Sequence, residues 1–137
     1  MTTIHAPQGQ QGEPIIRAMM MPRDTNYHGT IFGGIILSLI DQAAGVVAAV
    51  RARAGVATVK MNEVIFRNPV FVGDLVSVYA SLIGVGRTSM KIQAEVYAHR
   101  RDGGEPVHVT SAELVFVAIG PDRRPIPVFA EHEESVP

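Results

Sequence analysis

The sequence predicts an α+β domain: one long apolar helix, followed by four long strands in an antiparallel sheet. Three observations carry that expectation. Residues 35–53 contain no proline and many Ala, Ile, Leu and Val, which favours a helix of about 20 residues, roughly 30 Å long. Residues 56–66, 75–83, 88–99 and 107–119 are rich in Val, Ile and Tyr, as strands are. Within them Met90, Ile92, Ala94, Val96 and Ala98 alternate with Lys91, Gln93, Glu95 and His99, the period of a strand with one buried face.

Residues 1–14 are polar around Gln8, Gly9, Gln10, Gln11 and Gly12. They lack the basic-then-apolar order of a signal peptide and are expected to form a flexible tail. A single domain is expected over residues 15–130, with a second tail at 131–137. Residues 15–21 form a short apolar run suited to a first strand. Pro22, Asp24, Asn26 and Gly29 mark residues 22–30 as a loop. Gly33 and Gly34 then open the helix. Its apolar positions go nearly all round the axis, so it is expected to be enclosed, either by a sheet that curls round it or with help from a second subunit. Arg51 and Arg53 suit the negative end of the helix dipole, and Gly55 is a plausible stop. Asp102-Gly103-Gly104 signals a hairpin turn. Asn68-Pro69, Gly73-Asp74 and residues 84–86 mark other connections, and the chain leaves the sheet from Pro121.

Composition removes several classes of function. Of the 137 residues, 47% are apolar and 18% charged, which is the balance of one folded domain and not of a disordered chain. Twelve basic and thirteen acidic side chains give a net charge of −1, so there is no general basic field and no nucleic-acid partner is expected. The absence of cysteine removes disulfides, a thiolate nucleophile and Cys-ligated metal. His5, His28, His99, His108 and His132 show no metal-ligand spacing, and neither metal nor cofactor is expected. Residues 33–50 are apolar enough to suggest a membrane span, but Asp41 and Gln42 sit in the middle, where a charge costs roughly 3 kcal/mol. A core helix in a soluble, cytoplasmic protein is expected instead, with no membrane partner. No Gly-x-Ser-x-Gly elbow or P-loop occurs, and Gly84-Val85-Gly86 lacks the third glycine of a dinucleotide fingerprint. Arg100-Arg101 reads as solvated charge at a strand end.

Asp41 asks for a reason, because an ionised carboxylate buried without partners costs several kcal/mol. It reads either as a satisfied polar residue on a stripe with Ser38, Gln42 and Gly45, or as a reacting group. Gly33-Gly34 likewise reads as a tight strand-to-helix bend, or as a place where a ligand approaches the free N–H groups that begin a helix.

The stretch Met21-Pro22-Arg23-Asp24-Thr25-Asn26, then Gly29, Phe32, Gly33, Gly34 and Asp41, resembles the hotdog-fold acyl-CoA thioesterases, and in particular the bacterial acyl-CoA hydrolase branch with Phe-Gly-Gly. The resemblance continues through Thr58-Val59, Phe66, Pro69, Val72-Gly73-Asp74 and Val85-Gly86-Arg87-Thr88-Ser89, over about residues 15–120. It implies a hotdog fold, a long helix wrapped by a curved antiparallel sheet. It also implies an acyl-CoA substrate, a role in fatty acid metabolism, and dimers joined edge to edge, often built into hexamers with the site at the dimer interface. By matching position, Asp41 is the general base or nucleophile. Gly33 or Gly34 offers a backbone N–H to the thioester oxygen, and Asn26 of the facing subunit holds the water or the carbonyl. Thr58 assists, and Arg87, Thr88 and Ser89 lie near bound coenzyme A. The chain departs from the wider family at Phe32, where many members have His.

Two other functions compete. Dehydration of a 3-hydroxyacyl thioester on the same fold pairs a loop His with a helix carboxylate, and His28 precedes Asp41 by a suitable distance, but the Pro-rich loop of those enzymes is missing. A non-catalytic acyl-CoA-binding protein is the other.

Overall fold

The computed structural model describes Pro7, Gln10 and residues 12–129. The expected tail at 131–137, and most of that at 1–14, lie outside the described residues. Of the latter, Pro7 is buried, and the side chain of Gln10 hydrogen-bonds Tyr97.

Five strands and one long helix follow in the order β1 (Ile16–Met19), α1 (Gly33–Ala52), β2 (Gly55–Met61), β3 (Leu75–Val85), β4 (Ser89–His99) and β5 (Val107–Ile119). They form one antiparallel sheet in the spatial order β1-β3-β4-β5-β2. This is the α+β arrangement the alternation predicts. Met90, Ile92, Ala94, Val96 and Ala98 are all buried, and they face the helix side together with Val76, Val78, Leu114 and Phe116. The helix contributes Ile36, Ile40, Ala43, Ala44, Ala48 and Ala52 to the same core. Small alanines let the helix sit close to the sheet, while Ile36 and Ile40 fill the larger gaps. Each fully buried isoleucine stabilises by about 1.5–3 kcal/mol.

The sheet curls over one side of the helix, and within the single chain Val46 and Val50 on its far face are 49% and 73% exposed. Two local expectations need correction. The helix stops at Arg53 and not at Gly55. Arg53 adopts a left-handed conformation (φ 55°) and donates its N–H to the Ala49 carbonyl, and Gly55 already begins β2. The strand expected over residues 56–66 ends at Met61. Beyond it the chain is held by isolated bonds, Asn62 N–H to the Glu113 carbonyl and Arg67 N–H to the Val109 carbonyl.

Arg100, read as solvated, instead reaches the nearly buried Asp74. Asp74 Oδ2 accepts from Arg100 Nη1 at 2.5 Å and from the Phe71 N–H at 2.9 Å. The Arg100 guanidinium lies 4.9 Å from the centre of the Phe71 ring. This ion pair ties the turn before β3 to the end of β4. Gly73, in that turn, has a φ of +89°, a conformation that glycine adopts without strain.

Candidate active site

The loop before α1 is closed by its own side chains. Asp24 caps the short 3-10 turn Pro22–Asp24 by accepting from the Met21 N–H at 2.9 Å. Asn26 Oδ1 accepts from the His28 and Thr30 N–H groups at 2.8 and 3.3 Å, and its Nδ2 donates to Thr30 Oγ1 at 3.0 Å. The Ile31 N–H then bonds the Val70 carbonyl. These contacts fix the direction in which the chain enters the helix. The His28 ring packs on Tyr27, with centroids 4.0 Å apart.

Phe32 stands at the N-cap position, and no side chain caps the helix there. Gly33 and Gly34 are its first two residues, and among the described residues no acceptor takes their N–H groups. No acidic side chain occupies the first turn. Free amide hydrogens and the positive end of the helix dipole therefore meet at one point, as in anion sites. Two aromatic rings flank it. A Cβ on Gly34 would come within 2.5 Å of the Phe32 ring, and one on Gly33 would lie 3.6 Å from the Phe66 ring. Gly34 is thus the residue that lets Phe32 lie against the helix. Beside Gly33 opens a cavity of about 370 Å³, lined in part by Ile31, Ile36, Phe66, Arg67 and Val70.

Two turns into the helix, half-buried Asp41 accepts a hydrogen bond from Thr58 on β2, Thr58 Oγ1 to Asp41 Oδ1 at 2.7 Å. The pairing follows from the order of the sheet. Strand β2 is an edge strand alongside β5, and the flank of the helix above it carries Asp41. The β2–β5 register shifts between Thr58 and Lys60, an irregularity of the kind that re-aims side chains at a sheet edge.

The structure brings Asp41 and Thr58 together and leaves the other expected site residues apart within one chain. Asp41 lies seven residues beyond Gly34, about 10 Å along the axis on the same side of the helix. That is too far for both to touch one carbonyl carbon. Neither Asn26 nor His28 makes a hydrogen bond to Asp41. Arg87 and Thr88 lie in the β3–β4 hairpin and Ser89 begins β4. Ser89 pairs with Val117, which pairs with Ala57, so it stands about 10 Å across the sheet from the Thr58 region. The Arg87 carbonyl accepts from the Val128 N–H, and the Thr88 carbonyl from the Ala118 N–H. Among the described residues no three His, Asp or Glu side chains come together to hold a metal.

The roles of Phe32 and Phe66 as walls beside the glycine pair are not evident from periodicity, because Phe32 precedes the helix and Phe66 was expected to end a strand that stops at Met61. Their signal is the combination of large aromatic side chains with substantial exposure, 56% and 44%, which only coordinates reveal. The cavity beside Gly33 is equally hidden, since its lining comes from 30–36 and 66–70 together.

The Thioesterase superfamily model matches residues 28–105. A Zymomonas mobilis protein described as an uncharacterized acyl-CoA thioester hydrolase is 48% identical over 122 residues, covering 89% of this chain and 82% of that protein. The acyl-CoA thioester hydrolase YciA of Salmonella typhimurium is 38% identical over 122 residues, covering 86% and 91%. A hexameric hotdog-fold thioesterase of Campylobacter jejuni superposes with a TM-score of 0.83 at 39% identity, covering 90% of this chain and 95% of that one.

Proposed function

This chain belongs to the thioesterase superfamily and has its hotdog fold, and we propose that it is an acyl-CoA thioester hydrolase whose site is shared between two subunits. The hydrogen bond from Thr58 to Asp41 carries the reading. It fixes a half-buried carboxylate on the flank of the helix above an open sheet edge. The 10 Å between Asp41 and the uncapped helix start means that a second copy must supply the other half.

Two copies joined along β2 supply it. Exposed apolar side chains lie at the helix start and along and beyond β2, including Phe32, Val59, Ile65 and Phe66, and an unpaired edge strand is a template for another strand. A twofold axis at that edge turns the Gly33-Gly34 amides of one copy toward Asp41 of the other. Six copies in three such pairs match the assembly named for the Campylobacter jejuni relative.

The thioester carbonyl oxygen sits against the Gly33 or Gly34 N–H. Asp41 acts on the carbonyl carbon, either by taking a proton from an attacking water or by attacking directly. In both routes a tetrahedral oxyanion forms at the amide hydrogens, the C–S bond breaks and the coenzyme leaves as thiolate. In the base route it takes up the proton that Asp41 removed from water. In the direct route water then hydrolyses the acyl-aspartyl anhydride, releasing the acid, restoring the carboxylate and supplying the proton. A preorganised N–H donor contributes about 10²–10³ in rate, and a general base about 10²–10⁴. Thr58 holds the Asp41 carboxylate in place. Asn26 shapes the loop that leads to the glycine pair, and its second Nδ2 hydrogen is left to donate to the incoming carbonyl or water. Arg87, Thr88 and Ser89 meet the coenzyme, where a guanidinium suits phosphate.

The test is release of thiol from butyryl-CoA by the purified protein, measured with a thiol reagent, beside the Asp41→Asn variant. Wild-type release with a loss of two or more orders of magnitude in kcat, and an unchanged thermal midpoint, is the expected outcome. Full activity in the variant rejects the role of Asp41. With 3-hydroxybutyryl-CoA, enoyl absorbance without thiol release would mark a dehydratase, and binding without turnover an acyl-CoA-binding protein.

A further inference from the structure

Taking the acyl-CoA hydrolase reading as its premise, we propose that the cavity beside Gly33 is an acyl pocket that favours short chains ending in a second carboxylate, with Arg67 as the residue that selects them. The body of this 370 Å³ cavity is apolar, built from Ile31, Ile36, Phe66, Pro69 and Val70. Its polar groups are Arg67, Asn68, Thr30 and the helix start at Gly33. Within one chain no Asp or Glu lines it. Arg67 is exposed, and among the described residues its guanidinium has no ion pair and no hydrogen bond, while its backbone N–H bonds the Val109 carbonyl. The Asn68 side chain, by contrast, is spent on the His108 carbonyl at 2.8 Å.

Exposed Arg67 and the helix N-terminus border the same apolar cavity, and apart from the second copy's Asp41 at the reacting carbonyl no acid balances them, so the far side of the cavity is positive. A plain alkyl chain fills the wall and leaves that charge unanswered. A chain ending in a carboxylate fills the same wall and gives the guanidinium a two-pronged acceptor. Size separates this ligand from the other anionic candidate, the coenzyme's phosphates. At about 30 Å³ per water-sized group the cavity holds roughly a dozen such groups, enough for a short diacid chain and too few for a nucleotide. The phosphate-bearing end belongs instead with the Arg87 hairpin.

The experiment compares glutaryl-CoA with pentanoyl-CoA, which have the same number of acyl carbons and differ in the terminal carboxylate. The quantity read is the ratio of their kcat/KM values in wild type, Arg67→Met, Arg67→Lys and, as a control, Arg101→Met. In Arg67→Met the glutaryl-to-pentanoyl ratio is expected to fall at least tenfold, mainly through KM for glutaryl-CoA. Arg67→Lys restores part of the ratio, and Arg101→Met leaves it at the wild-type value. An unchanged ratio in Arg67→Met overturns the proposal. So does an equal loss on both substrates, which would make Arg67 a residue that orders the loop or meets the coenzyme. No turnover of either substrate by the wild type overturns the hydrolase premise and this selection with it, a failure distinct from turnover that ignores Arg67.

Discussion

Replacing Thr58 with Val removes the hydroxyl that donates to Asp41 at 2.7 Å and keeps the β-branched shape that suits a strand. A hydrogen bond to a charged group is worth about 1.5–3 kcal/mol, and each 1.4 kcal/mol is a factor of ten in rate. Thr58 is exposed in the single subunit, so water competes and the lower end applies. The expected loss in kcat is about tenfold, with little change in KM, because the substrate does not bind through this bond. Stability changes by less than about 0.5 kcal/mol, as for an exposed position away from the core. The decisive assay is a double-mutant cycle in which kcat is measured for wild type, Thr58→Val, Asp41→Asn and the double variant. If Thr58 acts by holding the Asp41 carboxylate, removing Thr58 costs nothing further once that carboxylate is gone. Additive losses would refute the reasoning, since Thr58 would then act on the reaction by a route of its own.

Two other outcomes concern the scaffold. Asp74→Ala leaves the Phe71 N–H and Arg100 without their shared acceptor, and is expected to destabilise by about 2–3 kcal/mol in urea unfolding; a loss under 0.5 kcal/mol would show that this pair does not hold the turn. His99 has its pKa held below the ordinary value of 6.5 by burial, aided by the positive charge of Arg17, and its Nε2 lies 3.2 Å from Ser77 Oγ. The unfolded chain therefore takes up a proton before the native state does as pH falls through about 6.5. Stability is full above that pH and declines below it. His99→Gln should flatten the fall in thermal midpoint between pH 7.5 and 5.5, and an identical fall in the variant would assign it to other groups.

How much was legible in the sequence depended on which physical signal each feature leaves. The alternation in β4 predicted its buried face residue by residue, because a pleated strand has a period of two wherever one side is covered. The long helix was legible from composition, but its exposure was not. A run such as Ala43-Ala44-Gly45-Val46-Val47 is apolar on every side, and only the sheet's position decides that Ala43 and Ala44 are buried while Val46 is open. The strand end at Met61 was missed because Val64, Ile65 and Phe66 keep strand-like side chains, while only isolated bonds, and no continuous ladder, tie this stretch to β5. Arg100 looked like solvated charge because its acceptor, Asp74, lies 26 residues away. In the site, Asp41 and the glycine pair stood out by residue type, and the motif linked them. The contact between Asp41 and Thr58 needed the helix and the edge strand to be placed together. Arg67 gave no signal at all, since an arginine in a loop resembles any surface charge until its cavity is seen.

The Phe32 position has a consequence for how firm this protein can become. Serine, threonine or aspartate at the first cap of a helix adds about 1 kcal/mol by engaging the leading amide hydrogens, and this chain forgoes that gain at its longest element. In the mechanism proposed above, a capping side chain at position 32 would harden the protein against heat and silence it, because the same hydrogens cannot serve an internal oxygen and a passing guest. On that mechanism heat tolerance is to be sought at the opposite terminus of the rod or in the outer sheet, away from the unmet bonds at its start.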